Sequence, residues 1–255
     1  MRIPRRALLA GFAAAPGAAL LTPRTASAFG EEGAFNPRVL LTGDQRWEGV
    51  RTTAPKRWAA ELAKRTSAPG RERPTVVRAE EEDLLDEPFV VWSGSKDVAA
   101  LTAKELRRLK QYFALGGILF VDDSDPKSGA FLAAAKREVA RALPNVGPVA
   151  VGAENILFRS FYLLKRPYGR VEGPAKLEIV SRSSIIQVVY SSHDLLGALA
   201  TDAEGTASLE VVPGGEAQRE KAIRLAVNLA MYVTCSTYKD DQVHAEHIMR
   251  RRGSK

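Results

Sequence analysis

The chain has 255 residues, 45% of them hydrophobic, a formal net charge of +7 and a single cysteine, Cys235. One cysteine excludes an intramolecular disulfide and a cysteine-built zinc site. Much of the positive charge sits at the two ends of the chain, which weakens any case for nucleic acid based on the total.

Residues 1–28 read as an export signal. Arg2, Arg5 and Arg6 form a basic start, Ala7 to Leu21 is an apolar run, and Ala26-Ser27-Ala28 is a small-x-small site that places the cut after Ala28. The run contains Pro16 and is too short to span a bilayer comfortably. Arg5-Arg6-Ala7-Leu8-Leu9 resembles a twin-arginine signal, which would export the protein in folded form; an ordinary secretory signal with two arginines is the other reading. Either route implies a periplasmic or extracellular protein. Arg2, Arg5, Arg6 and Arg24 leave with the signal, so the mature chain of 227 residues carries +3. No nucleic-acid partner is expected at that charge. No transmembrane anchor is expected after cleavage, because no later stretch reaches about 18 apolar residues.

The mature chain is expected to be one α/β domain, 29–235, followed by a polar, basic tail, 236–255. Arg38 to Thr42 is a short apolar run of strand length. Thr53 is placed to cap a helix that starts near Pro55 and carries Trp58 and Leu62 on one face. Ala68 to Arg73 is a loop, Thr75 to Arg78 a second strand, and Glu80 to Asp86 an acidic, solvated stretch. Pro88 to Trp92 is a buried-type strand, followed by the turn Ser93-Gly94-Ser95. Thr102 and Glu105 form a capping box, and Leu106, Leu109 and Phe113 recur at helical spacing. Gly116 stops that helix, and Ile118 to Val121 is a second fully apolar strand. Strand, helix, strand predicts a parallel pair joined by a right-handed crossover.

Asp125-Pro126 predicts the start of the next helix, which runs to Pro144. Val146 to Val151 is a candidate strand. Leu157 to Leu164 is aromatic-rich, with Phe158, Phe161 and Tyr162 expected in the core and Tyr168 expected at the surface. Leu177 to Val180 and Ile185 to Tyr190 follow as strands, Asp194 to Leu199 as a short helix, and Glu216 to Thr234 as a long one. Cys235, after an apolar helix face, is expected to be buried.

Several stretches resemble a family known as domain of unknown function 4159: Phe35-Asn-Pro-Arg-Val, Pro88-Phe-Val-Val-Trp-Ser-Gly, Gly116-Gly-Ile-Leu-Phe-Val-Asp-Asp, Phe158-Arg-Ser-Phe-Tyr162, Asn228-Leu-Ala-Met-Tyr and Tyr238-Lys-Asp-Asp-Gln-Val-His244. The Gly-Gly to Asp-Asp segment is the most specific. The resemblance implies a relative of class I glutamine amidotransferase folds: a flavodoxin-like, mostly parallel sheet with helices on both faces. It does not imply amidotransferase activity. The family's Asp-His pair before Pro-x-Phe-Arg is replaced here by Glu154-Asn155.

Asp122 and Asp123 are the first candidates for chemistry, because they end a parallel strand where ligands bind in open α/β sheets. Two adjacent carboxylates can share a proton or hold a divalent cation, provided the chain turns between them. Either acid can equally fix the turn by accepting backbone N–H bonds. His193 follows another strand and is a candidate base, or a local cap. Ser93, Gly94 and Ser124 are candidates for the border of the same crevice. They form no nucleophile elbow, so a serine hydrolase is not supported. His244 and His247 share a helix face but lack further ligands for a metal. The leading expectation is a non-catalytic binding or assembly module of the cell envelope, with an envelope protein or a small ligand as partner and no cofactor. The alternative is a metal-assisted or acid–base hydrolase at Asp122 and Asp123.

Overall fold

The computed structural model describes residues 33–182 and 184–252, with side chains up to position 236. The signal residues Arg5, Arg6, Ala26 and Ala28 lie outside them, as do the side chains of His244 and His247.

Seven strands among the described residues form one sheet in the order β2-β1-β3-β4-β7-β6-β5. They are β1 (Arg38–Leu41), β2 (Val76–Arg78), β3 (Phe89–Gly94), β4 (Ile118–Asp123), β5 (Val149–Val151), β6 (Leu177–Arg182) and β7 (Ile185–Ser191). The run from β2 to β7 is parallel, with Phe89 opposite Ile118 and Gly94 opposite Asp123. β6 and β5 add antiparallel to the β7 side. The protein is therefore α/β with a mostly parallel sheet, as the strand–helix alternation predicts.

Among the described residues five α-helices accompany the sheet: α1 (Ala54–Arg65), α2 (Ala103–Ala114), α3 (Ala130–Ala142), α4 (Leu195–Leu199) and α5 (Gly215–Arg252). Side chains alternate across a strand, so the apolar runs feed two cores at once. Phe89, Val91, Ile118 and Phe120 pack with Trp58 of α1 and with α4 and α5. Val90, Trp92, Leu119 and Val121 pack with Tyr112 and Phe113 of α2 and Phe131 of α3. Phe35, Phe89 and Phe120 surround Trp58 or one another at ring separations of 5.4–5.7 Å. The Trp58 indole N–H, which burial would otherwise leave unpaired, donates to the Ala226 carbonyl of α5 at 2.7 Å.

The predicted capping box is present: Glu105 N donates to Thr102 Oγ1 at 3.2 Å and Thr102 N to Glu105 Oε2 at 2.8 Å. Other expectations need correction. A turn of 3-10 helix, Val50–Thr53, precedes α1, and Thr53 does not cap it; its hydroxyl bridges to Thr201, accepting from N at 2.9 Å and donating to O at 2.8 Å. α3 starts at Ala130, not at Pro126, because Asp125 to Ser128 closes a turn in which Gly129 N donates to Asp125 O at 3.1 Å. α5 continues through most of the expected tail. Cys235 is exposed, because the buried face of α5 passes through Ala230 and Val233.

Candidate functional site

β1 has β2 on one side and β3 on the other, and the chain leaves the two central strands in opposite directions. After β1 it runs to α1 on one face of the sheet; after β3 it runs to α2 on the other. The connecting loops therefore diverge and leave a crevice at the carboxyl ends of β1 and β3, the place where open α/β sheets bind ligands. Its volume is about 680 Å³, and its walls are the stretches from Thr42 to Arg51 and from Ser93 to Ala99, with Ser124 between them.

The walls are fixed by side chains that no local pattern announces. Gln45 Oε1 accepts from Thr42 N at 3.1 Å, from Thr42 Oγ1 at 2.9 Å and from Trp92 Nε1 at 2.9 Å. Glu105 Oε1 accepts from Gly43 N at 2.7 Å, so the capping glutamate of α2 also holds the loop after β1. Arg78 donates to the Gly43 carbonyl from the neighbouring strand end. On the floor, Ser124 N donates to Gly94 O at 2.9 Å. Gly94 must lack a side chain, since a Cβ there would stand 2.5 Å from the Phe131 ring. Of the residues singled out in the sequence, Ser93, Gly94 and Ser124 line this crevice.

Asp122, Asp123 and His193 are directed elsewhere. β4 continues through Asp123, so the two carboxylates point to opposite faces and do not share a cation or a proton. Asp122 is fully buried. Its Oδ1 accepts from Leu195 N at 2.9 Å and its Oδ2 from Leu196 N at 2.8 Å, which ties β4 to the first turn of α4. Burial first, and then the neighbouring Asp194, push its pKa up, against the pull of those two N–H groups and of Arg51. Asp123 Oδ1 accepts from Asp125 N at 3.0 Å and fixes the turn before α3; Oδ2 is buried and makes no hydrogen bond. Its pKa is also raised, chiefly by burial.

His193 is a strut. A ring nitrogen facing a carbonyl must carry the proton, so Nε2–H donates to Pro174 O at 3.0 Å and Nδ1 is left bare, buried and unpartnered. The His193 carbonyl accepts from Val171 N at 3.1 Å. Burial lowers the imidazole pKa to about 4, so the ring is neutral at physiological pH. Asn155 is also local: its Oδ1 accepts from Leu157 N at 3.0 Å.

The charged centre that sequence reasoning missed is Asp194. It sits between β7 and α4 at φ 52°, a left-handed conformation that costs a non-glycine residue roughly 1 kcal/mol or more. Its carboxylate accepts from Arg51 Nε at 2.8 Å, from Arg51 Nη2 at 2.6 Å, from Arg170 Nε and from Gly197 N at 3.0 Å. Arg51 lines the crevice, so this buried network forms one of its walls. Asp194 just before an apolar run is legible as a helix cap. Its two arginine partners are not, because Arg51 lies 143 residues away.

Among the described residues no group of three or more His, Cys, Asp or Glu side chains is arranged to hold a metal ion, and no helix is long and apolar enough to cross a membrane.

A family model described as Domain of unknown function (DUF4159) matches residues 38–234, and the chain belongs to that family. The matched span begins at the first residue of β1 and takes in all seven strands. A comparison with curated proteins gave no match.

Proposed function

We propose that this chain is an exported binding or assembly module of the cell envelope, which takes a small polar ligand or a partner's side chains in the crevice between β1 and β3. The observation that carries the reading is the crevice itself: about 680 Å³ at the point where the loops after β1 and β3 diverge. Its lining combines the hydroxyls of Thr42, Ser93, Ser95 and Ser124 with charged side chains of both signs, among them Asp44, Arg46, Lys96 and Asp97, and includes Trp47 as an aromatic wall. Loops anchored by Gln45, Glu105 and Arg78 suit a preformed site, which orders little on binding. The order β2-β1-β3-β4-β7 also supports the finer reading of a flavodoxin-like, amidotransferase-like scaffold.

The setting is periplasmic or extracellular, reached through the Arg5-Arg6 signal. A complete α/β domain with two buried cores suits export in folded form. The hydrolase alternative draws on one atom, the unpartnered Asp123 Oδ2.

The test is affinity capture from envelope extract with the parent chain and with Ser95→Trp, which fills the crevice from an exposed position. A molecule held by the parent and lost by the variant supports the site. Identical capture by both would remove it. Cell fractionation tests the setting: replacing Arg5 and Arg6 by Lys should retain the chain in the cytoplasm, because a twin-arginine signal is read through the guanidinium pair. Normal export of that variant would point instead to the general secretory route.

A further inference from the structure

The loop between the 3-10 turn Ile156–Phe158 and Leu164 is held rigidly, yet it displays apolar side chains to solvent. Leu164 N donates to Phe158 O at 2.8 Å and closes the loop at its base. The fully buried Asn228 of α5 holds the tip. Its Oδ1 accepts from Phe161 N at 3.2 Å and Tyr162 N at 2.7 Å, and its Nδ2 donates to Tyr162 O at 2.8 Å. Ser160 Oγ adds a bond to the Asn228 carbonyl at 2.7 Å. A tip fixed by these bonds cannot fold its apolar groups inward. Leu163 is 83% exposed, Ile156 47% and Phe161 44%. One such residue would be ordinary; three within eight positions on one rigid projection are not.

The surroundings of the tip are basic. Arg159 and Lys165 flank it and are exposed. Arg224 lies over the Tyr162 ring at 5.1 Å and Lys221 over the Tyr168 ring at 5.1 Å, which brings two cations of α5 beside the loop. The nearby acids are engaged: Glu172 pairs with Arg166 at 2.8 Å, and Glu220 is shared by Arg65 at 2.8 Å and Arg224 at 2.9 Å. Between Asn155 and Val171 the sequence contains no acid at all.

We infer that this loop and the adjoining face of α5 dock the domain onto an anionic lipid surface. Leu163 and Phe161 enter the boundary between headgroups and acyl chains, and Arg159, Lys165 and Lys221 meet the phosphates. Tyr162 and Tyr168 have the amphipathic rings that settle at that depth. A projecting tip with cations around it favours a fluid bilayer over a protein, whose partner surfaces must supply a matching pocket. Basic residues close to such a surface and a few exposed apolar side chains each add a modest attraction, which together give reversible docking. The inference shares its setting with the envelope reading proposed above, but it concerns a surface separate from the crevice.

The test is co-sedimentation of the full chain with vesicles of equal parts phosphatidylglycerol and phosphatidylcholine, and with phosphatidylcholine alone. The export segment is common to every variant, so differences between variants report on the loop. Leu163→Asp, and separately Arg159→Glu with Lys165→Glu, should each lower partitioning onto the anionic vesicles by about tenfold or more. All three positions are exposed, and circular dichroism verifies that the variants fold. Binding by the parent should also fall steeply with salt. Equal sedimentation of parent and variants would overturn the inference. So would unchanged vesicle binding by Leu163→Asp with loss of a captured protein, which assigns the surface to a protein partner. A chain that stays in the cytoplasm yet shows the variant effect would refute export and leave the lipid-docking surface standing.

Discussion

The carboxyl edge of the sheet has two mouths, and the protein treats them differently. Between β1 and β3 the loops diverge and leave an open crevice. Between β4 and β7 the strand ends are tied down instead: Asp122 holds the first turn of α4, and Asp194 holds Arg51 and Arg170. Buried charge of this kind is tolerated only when every member is paired, because desolvation penalises any that is not. Acids at a strand end are therefore not by themselves a sign of chemistry. Here the carboxylates at the closed mouth are spent on structure, and the open one has a mixed polar lining in which the hydroxyls of Thr42, Ser93, Ser95 and Ser124 stand beside charged side chains of both signs.

This contrast predicts a gradient of effects. The largest belongs to Asp194→Ala, which strands Arg51 and Arg170 and uncaps α4. It should cost about 3–5 kcal/mol in urea unfolding. A loss below about 1 kcal/mol would mean that the network is solvated and that the two mouths do not differ in kind. Asp122→Ala comes next, at about 2–4 kcal/mol, since the Leu195 and Leu196 N–H groups lose their acceptors. Full stability of this variant, accompanied by loss of ligand capture, would move the functional site to the closed mouth.

A pH series sharpens the comparison further. His193 titrates at about 4 in the folded protein, below its ordinary range, because burial disfavours the imidazolium. Its contribution is present above about pH 6.5 and is lost as the pH falls through 4, an effect on the order of 2 kcal/mol. His193→Gln should flatten that part of the curve. A parent curve already flat between pH 6.5 and 4 would place the ring in solvent. Asp122 acts in the opposite sense: its pKa is raised, so its contribution is complete at low pH and declines as the pH rises through the folded value. The smallest effect is expected at the open mouth, where Ser95→Trp should change stability by no more than about 0.5 kcal/mol. A larger loss would show that the crevice closes in solution.

Much of the scaffold was legible because it is written locally. The runs Phe89–Trp92 and Ile118–Val121 are apolar at every position, which only strands buried on both faces require, and both are central and parallel. Thr102 and Glu105 carry their cap in their own spacing. Ser93, Gly94 and Ser124 line the crevice between β1 and β3, whereas sequence reasoning puts them at one shared with Asp122 and Asp123, which that crevice does not include. The aromatic stretch was read less well: Phe158 is in the core, but Phe161 is exposed, because Asn228 turns the backbone outward at Ser160 to Tyr162.

By itself the sequence determined the strand–helix alternation and the parallel centre of the sheet. These depend on periodicity and capping, whose range is a few residues. The tertiary structure alone decided that Asp122 and Asp123 part company, that Asp194 gathers Arg51 and Arg170, and that Cys235 faces outward. Each of these depends on which surfaces meet across the sheet, and a contact between residues 143 positions apart leaves no periodic trace in either segment.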